Sequence, residues 1–216
     1  MMSALPHVEA GALPDMIPPS LTALLVIDAQ VDFASPDGAL AGFGADLSGI
    51  PPALARIDTL IAAARAAGAP VAFARVMTTP ASDSPALQRL SARRGDGPDA
   101  LAVCREGEPG SAYFGVTPRP GDIEVSKRLY NAFHDTDLEA QLRQRGVETL
   151  LVAGFATHCC VDATVRDAFH RGFDVFVISD ATAAYAADTH WATLAALRES
   201  CALIVDSESA LGAWAP

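Results

Sequence analysis

Three residues with reactive side chains stand where strand-like apolar stretches of the sequence end. Asp28, Lys127 and Cys160 each come at or shortly after the end of such a stretch. In an open parallel sheet, ligands bind beyond the carboxyl ends of the strands, so these side chains could meet in one pocket. An acid, an amine and a thiol in one pocket could support catalysis in which the thiol is the nucleophile.

Cys160 has a further feature, because it begins a helix predicted from about Cys160 to Arg171. Unpaired backbone N–H groups and the positive end of the helix dipole at such a position are expected to lower the pKa of a thiol. The same N–H groups can bind a developing oxyanion. Cys159 directly precedes Cys160, and spacing alone does not decide which of the two reacts. Cys104 and Cys201 are interpreted as small hydrophobic residues.

Six segments predict the strands that position these side chains. Five are continuous apolar runs, typical of strands that are covered on both faces, and one is weaker. The predicted strands are residues 23–27, 71–74, 123–126, 150–153, 175–178 and 202–205. Helical segments alternate with them. This pattern predicts an α/β fold with a doubly wound, mainly parallel six-stranded sheet, helices on both faces, and a single domain over residues 1–216.

Helix boundaries are marked by residues that favour helix ends. One helix is predicted from Pro51 to Ala67, and another opens at Thr136, where Glu139 completes a capping box. Asp188 is predicted to cap the last helix. Three histidines are interpreted as ordinary residues on helix flanks: His134, His170 and His190.

Two regions interrupt the alternation of strands and helices. Residues 1–20 contain four prolines and are predicted to be an irregular lead-in. Residues 78–122 separate two strands by far more than an ordinary connection. A short helix is expected there, capped by Ser84 and ended by Gly95. The remainder is interpreted as a long loop or lid over the strand ends.

Composition narrows the possible functions. The chain has 216 residues, with 15 basic and 26 acidic side chains, and a formal charge of −11 disfavours binding to nucleic acid or to an anionic membrane surface. No apolar stretch approaches the roughly 20 residues of a membrane span, and the N-terminus has no pattern of a secretory signal. Four cysteines, two of them adjacent, suit neither a disulfide framework nor a zinc ribbon. A cytoplasmic location is therefore predicted.

Two segments together resemble a known family. They run from Leu24 to Phe33 and from Gly154 to Ala168, the second with glycine, threonine, Cys-Val, threonine and Asp-Ala at the family's spacings. The chain is similar over most of its length to the isochorismatase-like cysteine hydrolases. These include nicotinamidases, N-carbamoylsarcosine amidases, ureidoacrylate and maleamate amidohydrolases, and biuret hydrolases. The resemblance implies an isochorismatase-like, Rossmann-like fold. It also implies a homo-oligomer, a dimer or a tetramer, because such assemblies are common in the family.

The resemblance also implies roles for particular residues. The nucleophile stands directly before the valine, hence Cys160; Asp28 is the general acid and base, and Lys127 the third catalytic residue. A non-proline cis peptide is expected before Ala156, with the backbone N–H groups of Ala156 and Cys160 as the oxyanion hole. Isochorismatase proper cleaves a vinyl ether without a cysteine at this position, so Cys160 favours an amidase.

The sequence argues against the metal site of the nicotinamidase-like members, which use an aspartate and histidines near the second strand. No histidine occurs between His7 and His134. We therefore predict no metal and no cofactor, and nicotinamide becomes a less favoured substrate. Residues near the strand ends are candidates for contact with a small-molecule substrate: Gln30, Arg75, Arg128, Tyr130, Asn131, Phe133 and His158.

The function predicted is that of a metal-independent cysteine amidohydrolase, which cleaves a carbon–nitrogen bond of a small amide, carbamoyl or ureido compound through a thioester. A dinucleotide-binding enzyme is disfavoured because no glycine-rich loop follows the first strand. The alternatives left open are an isochorismatase-type hydrolase of another bond, a redox switch at Cys159 and Cys160, and a catalytically silent protein of the same fold.

Overall fold

A six-stranded sheet forms the centre of the computed structural model, which describes residues 12–215. All strands pair in parallel, in the order β3-β2-β1-β4-β5-β6, as the sequence predicts for an α/β doubly wound fold. The strands are β1 (Thr22–Ile27), β2 (Val71–Val76), β3 (Ile123–Lys127), β4 (Thr149–Phe155), β5 (Asp174–Ala183) and β6 (Leu203–Val205).

Helices cover both faces of this sheet. Within residues 12–215 the α-helices are α1 (Leu13–Met16), α2 (Val31–Ala34), α3 (Ala39–Gly42), α4 (Ile50–Ala67), α5 (Pro85–Arg94), α6 (Leu138–Gln144), α7 (Asp162–His170), α8 (Ala187–Ser200) and α9 (Ser207–Ala213). Successive residues of β1, such as Leu24 and Leu25, point into two different apolar clusters. One cluster packs under α1, α4 and α9, and the other under α6, α7 and α8.

The burial pattern explains why some strands were easier to predict than others. Every residue of β1 and β4 is buried, because both strands lie inside the sheet with helices above and below. β3 lies at the sheet edge and alternates between buried and exposed residues, which is why its apolar pattern is weaker. β5 contains a register shift opposite β4, between the pairs Val152–Val177 and Gly154–Thr182.

Three predicted helix boundaries require correction. α4 begins at Ile50, although it ends at Gly68 as expected, in the left-handed conformation that glycine permits. The capping box at Thr136 is wrong, because α6 starts at Leu138 after Asp137 and the Glu139 carboxylate is instead paired with an arginine of α7's C-terminal end. Asp188 does not cap α8, since the residue before the helix is Ala186.

The long region after β2 is partly ordered by contacts with the chain that follows β1. Val31 N–H donates to the Ala112 carbonyl, and Phe114 N–H donates to the Ala29 carbonyl, each at 2.9 Å. The Asp32 carboxylate accepts from the backbone N–H of Cys104 at 2.6 Å and from that of Ala39 at 3.0 Å. Residues 104–114 are therefore fastened beside the end of β1. The predicted short helix is α5, with Ser84 and Gly95 at its ends.

The predicted lead-in, residues 1–20, falls largely outside the described residues, and within its described part the chain forms the single turn α1. No helix in the described range 12–215 combines the length and apolar character needed to cross a membrane.

Candidate active site

The strand order places the candidate site at the point where the chain changes direction across the sheet. β1 pairs with β2 on one side and with β4 on the other. At such a point the loops that follow the two strands turn away from each other. The crevice between these loops is the usual ligand site of an open α/β sheet. Asp28 directly follows β1, and Cys160 lies in the turn that follows β4.

Asp28 and Lys127 form an ion pair beneath this crevice. Lys127 is the last residue of β3, and its Nζ lies 2.7 Å from Oδ2 of Asp28, with both side chains fully buried. The same ammonium group donates to the Leu129 carbonyl at 3.0 Å. Asp28 has a φ of +52°, a backbone conformation that non-glycine residues adopt sparingly and that is concentrated at functional sites. The structure thus joins two of the three predicted catalytic residues.

Burial and charge act in opposite directions on this pair. Burial raises the pKa of the Asp28 carboxyl, while the positive charge of Lys127 and hydrogen bonding from Cys160 oppose the shift. Burial lowers the pKa of Lys127, but the Asp28 carboxylate and Cys160 outweigh that effect and hold the pKa above its ordinary value. Lys127 therefore remains a cation. A carboxyl group with a raised pKa is suited to taking up and returning a proton.

One oxygen of Asp28 remains open to a reacting group. Oδ1 is buried and has no hydrogen-bond partner of normal geometry among the described residues. The Cys160 thiol is close enough to lower the pKa of Asp28 as a hydrogen-bonding neighbour. An unpartnered buried oxygen is unfavourable in a purely structural role. Because Lys127 holds Oδ2, Oδ1 is the Asp28 oxygen that has no partner among the described residues.

Cys160 lies in a π-helical turn, Thr157–Val161, which precedes α7. The Ala156 carbonyl accepts from the N–H groups of Cys159 at 3.0 Å and Val161 at 3.3 Å. The peptide bond between Phe155 and Ala156 is cis, as the family resemblance led us to expect. Turns of this kind inside helices occur frequently at functional sites.

The expectation that the Cys160 thiol has a lowered pKa is wrong. Hydrogen bonding to Cys159, burial, and the Asp28 carboxylate together raise the pKa of Cys160 well above its ordinary value. Only 6% of the Cys160 surface is exposed, and this loss of hydration disfavours the charged thiolate. The pKa of Cys159 is lowered, mainly by its hydrogen bond with Cys160. The Cys160 thiol is thus neutral at rest, and a base would have to take its proton to form a thiolate.

Gln30 has a structural use that the sequence did not indicate. Its Oε1 accepts from Val76 N–H at 2.7 Å, and its Nε2 donates to the carbonyls of Val76 at 2.8 Å and Ser111 at 2.9 Å. Both donors of the amide are occupied, and the side chain is fully buried. Gln30 therefore joins the end of β2 to the long region instead of facing a substrate, which corrects the sequence-based expectation.

Three other predicted substrate contacts are also engaged elsewhere. Arg75 pairs with Glu124 at 2.9 Å at the edge of the sheet. Phe133 is buried and stacks on the ring of Phe173 at a centroid distance of 5.8 Å, which makes it a core residue. The side-chain amide of Asn131 donates to an Asp167 carboxylate oxygen at 2.6 Å. None of these side chains is free to turn toward a substrate without losing its partner.

Tyr130 remains a candidate for substrate contact. It is 39% exposed, and burial, followed by the neighbouring Cys159 and Cys160, raises the pKa of its hydroxyl. The positive charges of Arg94 and Lys127 oppose that shift. The hydroxyl of Tyr130 is thus within electrostatic range of both cysteines and of Arg94 at the C-terminal end of α5.

His158 and Arg128 lie further out. His158 is exposed and lines a shallow surface groove of about 510 Å³ between α7 and α8, together with Asp162 and Arg166. Arg128 donates to the Met77 carbonyl at 3.0 Å and is exposed to solvent. Among the described residues, neither His158 nor Arg128 forms a side-chain hydrogen bond or ion pair with Asp28 or Lys127.

The sequence reasoning missed Tyr185, and its interpretation of His190 as an ordinary residue on a helix flank is wrong. The Tyr185 hydroxyl donates to the Phe33 carbonyl at 3.2 Å, and burial, then Cys160 and Asp28, raise its pKa. His190 is buried against the turn that carries Cys160. A helical spacing of buried positions at 190, 194 and 197 is a signal that could have placed His190 on the inner face of α8.

Within residues 12–215, no group of three or more histidine, cysteine, aspartate or glutamate side chains is arranged to hold a metal ion. The fold and the site together define an α/β enzyme of the open parallel-sheet class, with its reactive groups at the switch point between β1 and β4.

Comparison with known proteins identifies the family. The isochorismatase domain model matches residues 22–209. Ureidoacrylate amidohydrolase RutB of Methylobacterium radiotolerans is 38% identical over an alignment of 179 residues, which covers 78% of this chain and 69% of that protein. RutB of Pseudomonas syringae pv. syringae is 36% identical over 189 residues, covering 82% and 77% of the two chains. The chain belongs to the isochorismatase family.

Solved structures agree with this assignment. A cysteine hydrolase from Pseudomonas syringae pv. phaseolicola 1448A has a TM-score of 0.81 and 27% identity, with 98% of each chain covered. Nicotinamidase/pyrazinamidase PncA from Bacillus subtilis has a TM-score of 0.68 and 27% identity, covering 86% of this chain and 100% of that one. The predicted fold class and family are confirmed, and the protein is a hydrolase acting on carbon–nitrogen bonds other than peptide bonds.

Proposed function

We propose that this protein is a metal-independent cysteine amidohydrolase that cleaves a small ureido or carbamoyl acid through a thioester on Cys160. The observation that carries the proposal is the buried Asp28–Lys127 pair, which leaves one Asp28 oxygen open beside a neutral thiol. The similarity to ureidoacrylate amidohydrolases supports the choice of substrate class.

The first half of the reaction forms the thioester. Sγ of Cys160 attacks the substrate carbonyl carbon while its proton passes to Oδ1 of Asp28. The backbone N–H groups of Ala156 and Cys160 bind the resulting oxyanion. Asp28 then returns the proton to the leaving nitrogen, the carbon–nitrogen bond breaks, and ammonia or an amine departs. Lys127 stays cationic throughout and holds the Asp28 carboxylate in place.

The second half regenerates the enzyme. Asp28, now a carboxylate again, removes a proton from water, and the hydroxide formed attacks the thioester carbon. The carbon–sulfur bond breaks, and the proton on Asp28 returns to Sγ of Cys160. A neutral resting thiol suits this cycle. Asp28 is a carboxylate, able to accept a proton, both when Cys160 attacks the substrate and when water attacks the thioester.

A substrate carboxylate needs a cation near the nucleophile, and Arg94 is the arginine we assign to it. Arg75 and Arg105 lie at the same edge of the sheet but already pair with Glu124 and Asp83. No carboxylate within residues 12–215 lies at ion-pair distance from Arg94. Its charge reaches the Tyr130 hydroxyl beside the cysteines, as described above.

The decisive experiment follows turnover and the covalent intermediate together. The wild-type enzyme is assayed for ammonia release from ureido acids, carbamoyl amino acids and neutral amides, and is quenched in acid for mass spectrometry. We expect a mass increase on the peptide that carries Cys160, and no turnover by Cys160→Ala. Cys159→Ala is the matched control and should stay active. Turnover by Cys160→Ala, or a label on Cys159 alone, would refute the mechanism.

A further inference from the structure

His190 is a buried histidine, outside the proposed catalytic residues, that contacts the turn carrying Cys160. Its Nδ1 lies 2.8 Å from Oγ1 of Thr157, and 8% of the residue is exposed. Thr157 is fully buried and begins the π-helical turn. This hydrogen bond connects α8 to the segment between the proposed oxyanion hole and the nucleophile.

His190 can hold Thr157 without carrying a charge. Burial lowers the pKa of the imidazole, while a hydrogen bond with the backbone of Ser179 opposes that shift. The ring is therefore neutral near pH 7 and carries one proton. The hydrogen bond between Nδ1 and Oγ1 forms with either tautomer, because the Thr157 hydroxyl can donate to Nδ1 or accept from it.

The two partners of His190 belong to different parts of the fold. Ser179 lies in the register-shifted part of β5, where the strand has extra residues opposite β4. Thr157 lies directly after Ala156 and three residues before Cys160. Among the hydrogen bonds of the described chain, His190–Thr157 is the one side-chain bond that ties residues 157–161 to a neighbouring helix. His190 thus links α8 to the turn that carries Cys160.

We propose that His190 is a positioning residue, which holds the Thr157 end of the turn so that the N–H groups of Ala156 and Cys160 and the sulfur of Cys160 keep their reactive geometry. This inference rests on the proposed function. His190 is buried and bonded to Thr157, outside the proposed catalytic residues, so its loss should reduce the rate of the chemical step and leave substrate binding unchanged. Misplacement of reacting groups by about 1 Å costs on the order of 100-fold in rate.

Three substitutions at His190 separate this role from simple packing. His190→Asn places an amide atom close to the position of Nδ1, whereas His190→Gln reaches toward the other ring nitrogen, and His190→Leu retains volume without polarity. We expect His190→Leu and His190→Gln to lower kcat by about 10- to 100-fold with KM within about twofold. His190→Asn should recover most of the loss. If His190 only filled space, Asn would not be expected to restore kcat better than Gln.

Substitutions of the partner provide a second test that does not depend on how the histidine variants fold. Thr157→Val removes the hydroxyl and should match His190→Leu, while Thr157→Ser should keep near-normal kcat. The double variant Thr157→Val/His190→Leu should be no slower than the single variants, because both remove the same interaction. Full activity of a folded His190→Leu, or failure of Asn to exceed Gln, would overturn the proposal.

A substrate-free measurement distinguishes failure of this inference from failure of the proposed function. The rate of Cys160 alkylation by iodoacetamide is measured for the wild type, His190→Leu, His190→Asn and Thr157→Val. We expect His190→Leu and Thr157→Val to change the rate at least threefold, and His190→Asn to restore it. Equal rates in all four proteins would reject the positioning role even if hydrolysis were demonstrated. A changed rate with no hydrolysis of any substrate would retain it and reject the proposed activity.

Discussion

Gly154 of β4 pairs with Ile27 of β1 across the centre of the sheet, at a place where only glycine fits. Its φ is +116°, and a Cβ added there would collide with the carbonyl oxygen of Ile27. The close approach sets the two strand ends side by side. Asp28 directly follows Ile27, and the cis peptide and the turn that carries Cys160 follow Gly154, so this contact places the Asp28 carboxyl group beside the Cys160 thiol.

Gly154→Ala should therefore damage both stability and the site. We expect the free energy of unfolding to fall by at least about 1–3 kcal/mol, because the added methyl group forces the strands apart. Gly212→Ala is the control: Gly212 lies in α9 with open space around it, and alanine there should be neutral or stabilising by about 0.5–1 kcal/mol. Denaturant titration of both variants tests this. An equal effect of the two substitutions would contradict the steric argument.

Lys127→Met should be strongly destabilising, and more so as the pH rises. Removal of the cation leaves the buried Asp28 carboxylate unpaired, at a cost of about 3–5 kcal/mol at pH 8. Loss of Lys127 raises the pKa of Asp28 further, so the folded protein takes up a proton as the pH falls toward 5. The destabilisation caused by Lys127→Met then decreases, because a neutral carboxyl group is less unfavourable to bury than a carboxylate.

The matched control for that substitution removes both charges. Asp28→Asn/Lys127→Met should recover most of the stability lost by Lys127→Met and should not show its pH dependence, while remaining inactive. Chemical denaturation at pH 5, 6.5 and 8 measures the difference. A destabilisation by Lys127→Met that does not change with pH would show that the carboxylate is not the cause.

Alkylation of the cysteines should follow their environments. Because the pKa of Cys160 is raised, its reaction with iodoacetamide should be slow near pH 6 and accelerate with pH, since the thiolate fraction rises about tenfold per pH unit below the pKa. Cys159, whose pKa is lowered, should react at lower pH. Cys104 is buried with a raised pKa and should stay unmodified in the folded protein. Rapid labelling of Cys160 at pH 6 in a Cys159→Ser variant would contradict this order.

Arg94→Gln should weaken binding of substrates that carry a carboxylate. We expect KM for a ureido acid to rise by roughly tenfold, because one charge-assisted hydrogen bond is lost. The KM for a neutral amide of the same size should change little. Arg93→Gln, the neighbouring exposed arginine of α5, should leave both values unchanged. Steady-state kinetics with the paired substrates decides the matter, and equal effects on the acid and the amide would reject the assignment.

Removal of metal ions should not affect turnover. Every proposed step uses Cys160, Asp28, water or a backbone N–H group. We expect the enzyme to keep full activity after dialysis against EDTA, and addition of zinc or manganese salts to give no increase. Reversible loss of ammonia release on dialysis would contradict the metal-independent mechanism.

Much of the fold was readable from local patterns. Continuous apolar runs identify strands covered on both faces, and β1 and β4 are indeed buried along their whole length. Asp28, Lys127 and Cys160 could be singled out because a parallel sheet gathers its carboxyl ends at one edge. The starts of α6 and α8 were misplaced because neither helix has a side-chain hydrogen bond at its N-cap, which is the feature that a capping pattern predicts.

The sequence by itself determined the strand pattern, the family and the types of the reactive groups, because these depend on residues that are close together along the chain. The tertiary structure decided how each side chain is used. Gln30 and Ser111 are 81 positions apart, and His190 and Thr157 are 33 apart, yet each pair is hydrogen-bonded. The raised pKa of Cys160 likewise comes from its burial and its neighbours. Desolvation and hydrogen bonding act through space, so local sequence patterns could not reveal them.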